Sequence, residues 1–104
     1  MIAREWKARC PKQHVQGFID YLYQTGVKDT SGTAGFKGAQ IFQRELPDGM
    51  SEVTLVTYWI NYDVIVAFSG ENISVAKLYP EDDFYLLEPD TFVRHYEVIE
   101  NQWL

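Results

Sequence analysis

The run Glu52–Glu71, EVTLVTYWINYDVIVAFSGE, decides the fold. Val53 to Ile60 are nearly all β-branched or aromatic, the composition of a strand covered on both faces. Asn61 follows as a helix N-cap, its side-chain oxygen available to the first free helical amides. Val64, Ile65, Ala67 and Phe68 form a short apolar helical face, and Gly70 stands where that helix ends. The stretch is a strand running straight into a helix, with Trp59 at the junction. A large ring with one N–H suits either the core or the wall of a cavity at that place.

Upstream, Phe36–Leu46 reads as the strand that pairs with Glu52–Ile60, and Pro47-Asp48-Gly49 as the hairpin turn between them. Lys28–Gly38 is polar and glycine-rich. It follows a helix and leads into a strand, the reverse of a phosphate loop, so it is a connection or the rim of a site. Pro11 opens a helix over Lys12–Gly26, where Val15, Phe18, Ile19, Leu22 and Tyr23 make the apolar stripe. Met1–Cys10 alternates: Ile2, Arg4, Trp6, Ala8 and Cys10 share the core face, and Ala3, Glu5, Lys7 and Arg9 the wet one. Arg4 is the anomaly on that core face. Either it pairs with a carboxylate, Glu97 across the sheet being the expected partner, or it faces a pocket and meets a ligand oxygen.

Downstream, Ile73–Leu78 reads as a helical turn or two. Pro80 with Glu81, Asp82 and Asp83 behind it reads as a helix start, since acids offset the positive end of the helix dipole. Pro89 stops that segment, and Phe92–Glu100 alternates as the last strand. The order is β-α-β-β-α-β, an α+β ferredoxin-like pattern with a four-stranded antiparallel sheet and helices on one face. The strand Glu52–Ile60 is apolar on both faces, so its second face needs cover. A second copy packed sheet against sheet supplies it, with one pocket per subunit between sheet and helices.

The 104 residues suit a single domain over 1–104, and a core is affordable from 46% apolar and 15% aromatic residues. Nine basic residues are scattered among fifteen acidic ones, for a net charge of −6, which leaves no phosphate-neutralising stripe for nucleic acid. Cys10 is alone, so an internal disulfide is excluded and a structural zinc site is not expected. There is no membrane-length apolar run and no signal-peptide pattern, which predicts a cytoplasmic protein. His14 sits beside polar residues with no second ligand at metal spacing, and no metal is expected.

Five short runs, Met1-Ile-Ala-Arg-Glu-Trp6, Tyr58-Trp59, Ala67-Phe-Ser-Gly-Glu71, Tyr79-Pro-Glu-Asp-Asp83 and His95-Tyr-Glu-Val98, come in an order and spacing that resembles the antibiotic biosynthesis monooxygenase domain family over essentially the whole chain. The resemblance implies a dimeric α+β barrel. Its members include cofactor-free oxygenases of polycyclic phenols and haem-degrading proteins, and fold does not choose among them. The haem-degrading pattern has an Asn on the first strand, where Ala3 stands here, and a ligating His on the second helical region. No His lies between His14 and His95, so haem degradation is disfavoured. The oxygenase branch resembles this chain in Trp59, with Tyr58 and Tyr79 matching by type.

The resemblance therefore implies cofactor-independent monooxygenation of an aromatic, polycyclic phenol-like small molecule in the pocket between sheet and helices. That chemistry needs a base, donors for an oxyanion and a dry site. His95 is the base by type, Arg4 and the Trp59 N–H the oxyanion donors, and Trp6, Tyr58, Phe68 and Tyr79 the residues expected against the ring. Each has a structural alternative: His95 bonded to Glu97 or to a neighbouring strand, and Trp59 in the core. Two other functions fit the same chain, a non-catalytic small-molecule binding protein and a lyase or isomerase of a small acid.

Overall fold

The computed structural model describes residues 1–77 and 85–102. Strand β1 spans Ile2–Pro11. A single 3-10 turn, Lys12–His14, then leads into helix α1, Val15–Leu22. The helical path continues through a π turn at Tyr23–Val27 into α2, Lys28–Ser31. Strands β2 (Phe36–Glu45) and β3 (Met50–Trp59) form the hairpin, and α3 covers Tyr62–Ser69. Two short strands, β4 (Glu88–Pro89) and β5 (Arg94–Glu97), complete the sheet. Its order is β2-β3-β1-β4, with β5 also pairing β1, and every pairing is antiparallel. This is the ferredoxin-like arrangement expected from the sequence.

The local signals around β3 act as their chemistry requires. Asn61 Oδ1 accepts from the Val64 N–H at 3.1 Å, and Gly70 takes φ 91° with its N–H bonded to the Val66 carbonyl. In the hairpin, Asp48 Oδ1 accepts from the Met50 N–H at 3.1 Å and Gly49 supplies φ 81°.

The first helical segment does not stop at Gly26. Gly26 is buried, and a Cβ there would stand 3.1 Å from Leu22 Cδ1 and 3.6 Å from Leu55 Cδ2. Here glycine serves close packing against the sheet, and the chain widens into a π turn rather than ending. Lys28–Ser31 is accordingly helical, not loop. Ile73–Lys77 is not helical either: Val75 forms an isolated bridge with Phe92, and Ala76 donates to the Thr91 carbonyl at 2.8 Å. Of the helix expected from Pro80, residues 80–84 lie outside the described residues, while Leu86 stands at φ 52°, outside helical geometry. The tail residue Trp103 also lies outside them. Strand β5 is shorter than the expected Phe92–Glu100, and Phe92 bridges Val75 instead of β1. The Val98 N–H donates to the carbonyl of Met1 at 3.0 Å, and Ile99 is exposed.

Two apolar clusters cover the helix side of the sheet. Under α1 lie Cys10, Val15, Phe18, Leu22, Val53 and Leu55. Under α3 lie Ile2, Trp59 and Ile65, with Phe36, Val64 and Phe68 against them. The candidate site sits at the seam between the clusters.

Candidate functional site

Register places the site residues. Arg4 stands opposite Thr57 on β3 and opposite His95 on β5, and Ile2 stands opposite Trp59. Directly paired residues point to one side of a sheet, so Arg4, Trp59 and His95 share the helix-facing side. Trp6, two residues along β1 from Arg4, lies on it too.

At the seam is a cavity of about 50 Å³. A single water takes up ~10–15 Å³ by the same measure, so the space suits a compact molecule rather than several fused rings. Trp6, Leu22, Leu55, Phe68 and Val93 give it apolar walls. Arg4 and Lys77 bring positive charge, and Thr25, Thr30 and Thr57 bring hydroxyls. Thr25 and Gly26 come from the π turn, a distortion that re-aims side chains at functional sites. The Thr25 and Thr30 hydroxyls donate to the carbonyls of Tyr21 (2.9 Å) and Val27 (2.8 Å).

Arg4 is only 5% exposed. Its Nη1 donates to the Ile73 carbonyl at 2.6 Å and to His95 Nε2 at 3.0 Å, and its Nη2 to the Val75 carbonyl at 3.3 Å. The expected ion pair with Glu97 is not formed. Glu97 stands opposite Ile2, two pairs further along, and the guanidinium instead meets the backbone of Ile73–Val75, which folds over it. Among the described residues no carboxylate pairs with Arg4. Burial pushes its pKa down to about 10.

His95 touches Arg4 rather than the cavity. Arginine can only donate, so Nε2 accepts and the ring proton sits on Nδ1. Burial first, and the Arg4 charge second, hold the His95 pKa below its usual value. The Tyr62 ring lies alongside, centroid to centroid 6.0 Å.

This pairing has a pH consequence. The unfolded chain takes up a proton at His95 near pH ~6.5, whereas the folded chain does so only at lower pH. The stability contributed by neutral His95 is complete above pH ~6.5 and is lost as pH falls through the folded pKa. His95→Gln keeps an acceptor for Arg4 but cannot titrate. Urea unfolding at pH 7.5 and 5.5 should show a smaller acid loss in the variant than in the parent. Equal losses would remove His95 from the pH response.

Trp59 is fully buried and its Nε1 donates to Thr57 Oγ1 at 2.8 Å, so its N–H is satisfied inside the fold. It supports the cavity from behind, stacked at 5.4 Å on Phe68, which does line it. The tryptophan that faces the cavity is Trp6, and its Nε1 is buried without an acceptor among the described residues. Tyr58 lies on the opposite face of the sheet, its hydroxyl donating to Gln40 Oε1 at 2.7 Å. Tyr79 lies outside the described residues.

Sequence reasoning missed Lys77 and the three threonines. Lys77 pairs with Asp29 Oδ2 at 2.8 Å and sits 4.5 Å over the Phe68 ring, joining the segment after α3 to α2 at the cavity. No periodic signal marks a residue in such a connection. Among the described residues no group of three His, Cys, Asp or Glu could hold a metal ion, and no helix is long and apolar enough to cross a membrane.

No family model and no curated protein matches the sequence. A solved structure does match: that of a "putative antibiotic biosynthesis monooxygenase" from Bacillus cereus. Its TM-score is 0.56 at 12% identity, over 99% of this chain and 96% of that one. At that identity the likeness speaks for the backbone alone. The chain thus has the same ferredoxin-like α+β fold as that Bacillus cereus protein, with its cavity between the sheet and the helices.

Proposed function

We propose that the chain is a cofactor-independent monooxygenase acting on a small phenol-like aromatic molecule held in the seam cavity. One observation carries this reading: a largely apolar cavity walled by Trp6 and Phe68, with the buried guanidinium of Arg4 at one side. A substrate that enters as its phenolate or enolate, having left its proton to bulk water, is already electron-rich. Oxygen then adds to a ring-attached methylene; one oxygen atom stays as a carbonyl, and the other leaves as water with the two hydrogens removed. Arg4 holds the oxyanion, Trp6 and Phe68 flank the ring, and the apolar walls exclude water. His95 and Trp59 act from behind, through Arg4 and Phe68.

The outer sheet face supports a homodimer. Phe42 is half-exposed, and Val56 and Tyr58 stand beside it on a face where Lys7 and Arg44 both pair with Glu52. A second copy packed sheet to sheet covers these residues, and light scattering should report twice the chain mass.

A cavity this small also favours a second reading, a lyase or isomerase of a small acid. Oxygen consumption separates the two. Single-ring phenols bearing an activated benzylic methylene and small carboxylic acids are screened by thermal shift, and hits are followed with an oxygen electrode and product analysis. Oxygen uptake with an aromatic hit supports the monooxygenase. Conversion of a small acid without oxygen uptake establishes the second reading. Binding without either product reduces the chain to a small-molecule binding protein.

A further inference from the structure

Among the described residues, nothing in the cavity answers the charge it carries. Arg4 has three acceptors among the described residues, two carbonyls and an imidazole, and all are neutral. Lys77, the other cation at the cavity, is already neutralised by Asp29. No carboxylate is among the lining residues described. A buried charge without a counter-ion is unfavourable in apolar surroundings, and burial does push the Arg4 pKa down.

A second donor is also unanswered. Trp6 lines the same cavity, and its indole N–H is buried with no acceptor among the described residues. Buried donors are nearly always paired, so an orphan beside a cavity marks a place for an acceptor from outside the chain. Arg4 and Trp6 are neighbours on one face of β1, roughly 7 Å apart along the strand. A guanidinium has five N–H donors, and the acceptors found leave some unused.

We infer that the ligand of this cavity is a compact organic monoanion, a carboxylate or a phenolate, whose oxyanion is held jointly by the Arg4 guanidinium and the Trp6 indole N–H. The inference rests on the reading of this cavity as the ligand site, and adds to it the charge of the ligand and the donor pair. It also gives the Trp6 indole a polar role. The volume sets the size: the charged group and a few carbons fill the ~50 Å³ space, and the rest of a larger ring lies in its open mouth.

Two isosteric pairs test this on the intact protein at pH 8: benzoate with benzamide, and 4-nitrophenolate with 4-nitroaniline. Affinities are read by calorimetry. At least one anion should bind its site roughly tenfold or more tighter than its neutral partner, as a charged hydrogen-bonded group does over a neutral one. The pair that discriminates tells whether the natural oxyanion is a carboxylate or a phenolate. Trp6→Phe keeps the ring and removes the N–H. It should weaken the preferred anion about fivefold while leaving the neutral partner unchanged. Arg4→Met should abolish the discrimination, and if it fails to fold, Trp6→Phe decides alone. Neutral and anionic partners binding equally would overturn the inference and leave the aromatic cavity standing. No binding by any of the four would overturn the cavity as the ligand site, and the inference with it.

Discussion

Trp59→Ala lowers the unfolding free energy by ~3–5 kcal/mol, whereas Trp59→Phe lowers it by only ~1–2 kcal/mol. The first figure follows from full burial. The indole packs edge-on against Phe36 at 5.7 Å and against Phe68 at 5.4 Å, and Ile2 and Ile65 complete its cluster. Alanine removes that volume from between β3 and α3, where both elements are fixed by their own hydrogen bonds and cannot close the gap. Phenylalanine keeps one of the two fused rings and most of the contact, and loses the remaining volume together with the N–H to Thr57 Oγ1. Domains of this size hold only ~5–15 kcal/mol in total, so the alanine variant should melt on the order of 15 °C lower. Thermal and urea unfolding monitored by circular dichroism check both. A Trp59→Ala variant as stable as the parent would mean that the indole is not a core group.

The same pair of variants separates structure from chemistry. Trp59 reaches the cavity only through Phe68, so Trp59→Phe should leave ligand affinity near the parent value. Trp6 and Trp59 could not be told apart from sequence. Both follow the alternation of central strands, and both fall on the helix-facing side. What distinguishes them is which helix lies above. Trp59 is capped by α3, and Trp6 lies at the seam beside α1, a relation set by long-range packing.

Local chemistry was legible and non-local chemistry was not. The β3–α3 run declared its strand, its Asn61 cap and its Gly70 stop because each depends on residues within one turn. The meeting of Arg4 with His95 depends on register between strands ninety residues apart, and alternation leaves that register open. The anomaly itself was visible: an Arg on an apolar face. Its partners were not, because two of them are backbone carbonyls, which any sequence can supply. Gly26 shows the converse failure. A glycine near the end of an apolar stripe signals a helix stop unless the sheet lies close enough to need the missing side chain, and here it does.

Gly35→Ala is the other substitution with a large expected effect, a loss of ~2–5 kcal/mol. Two costs meet there. Gly35 takes φ +89°, which L-residues with a side chain avoid. An added Cβ would also stand 2.6 Å from Val64 Cγ1 and 2.9 Å from Val64 Cβ, inside the first turns of α3. The contact is fixed from both sides. Gly35 accepts from the Ile60 N–H at 3.0 Å through its carbonyl, and Val64 is held by the Asn61 cap. Neither can retreat without breaking a bond that positions α3, and α3 carries Phe68 to the cavity. Gly49 separates the two costs: it has φ +81° with nothing within 4 Å of the added Cβ, so Gly49→Ala carries the backbone cost alone. Adding Val64→Ala to Gly35→Ala should recover the steric share, so the two changes are expected to be non-additive by 1 kcal/mol or more in a double-mutant cycle. Urea unfolding of the four variants measures each quantity. If Gly35→Ala costs no more than Gly49→Ala, the close approach of the β2 entrance to α3 is absent, and with it the rigid mounting of Phe68.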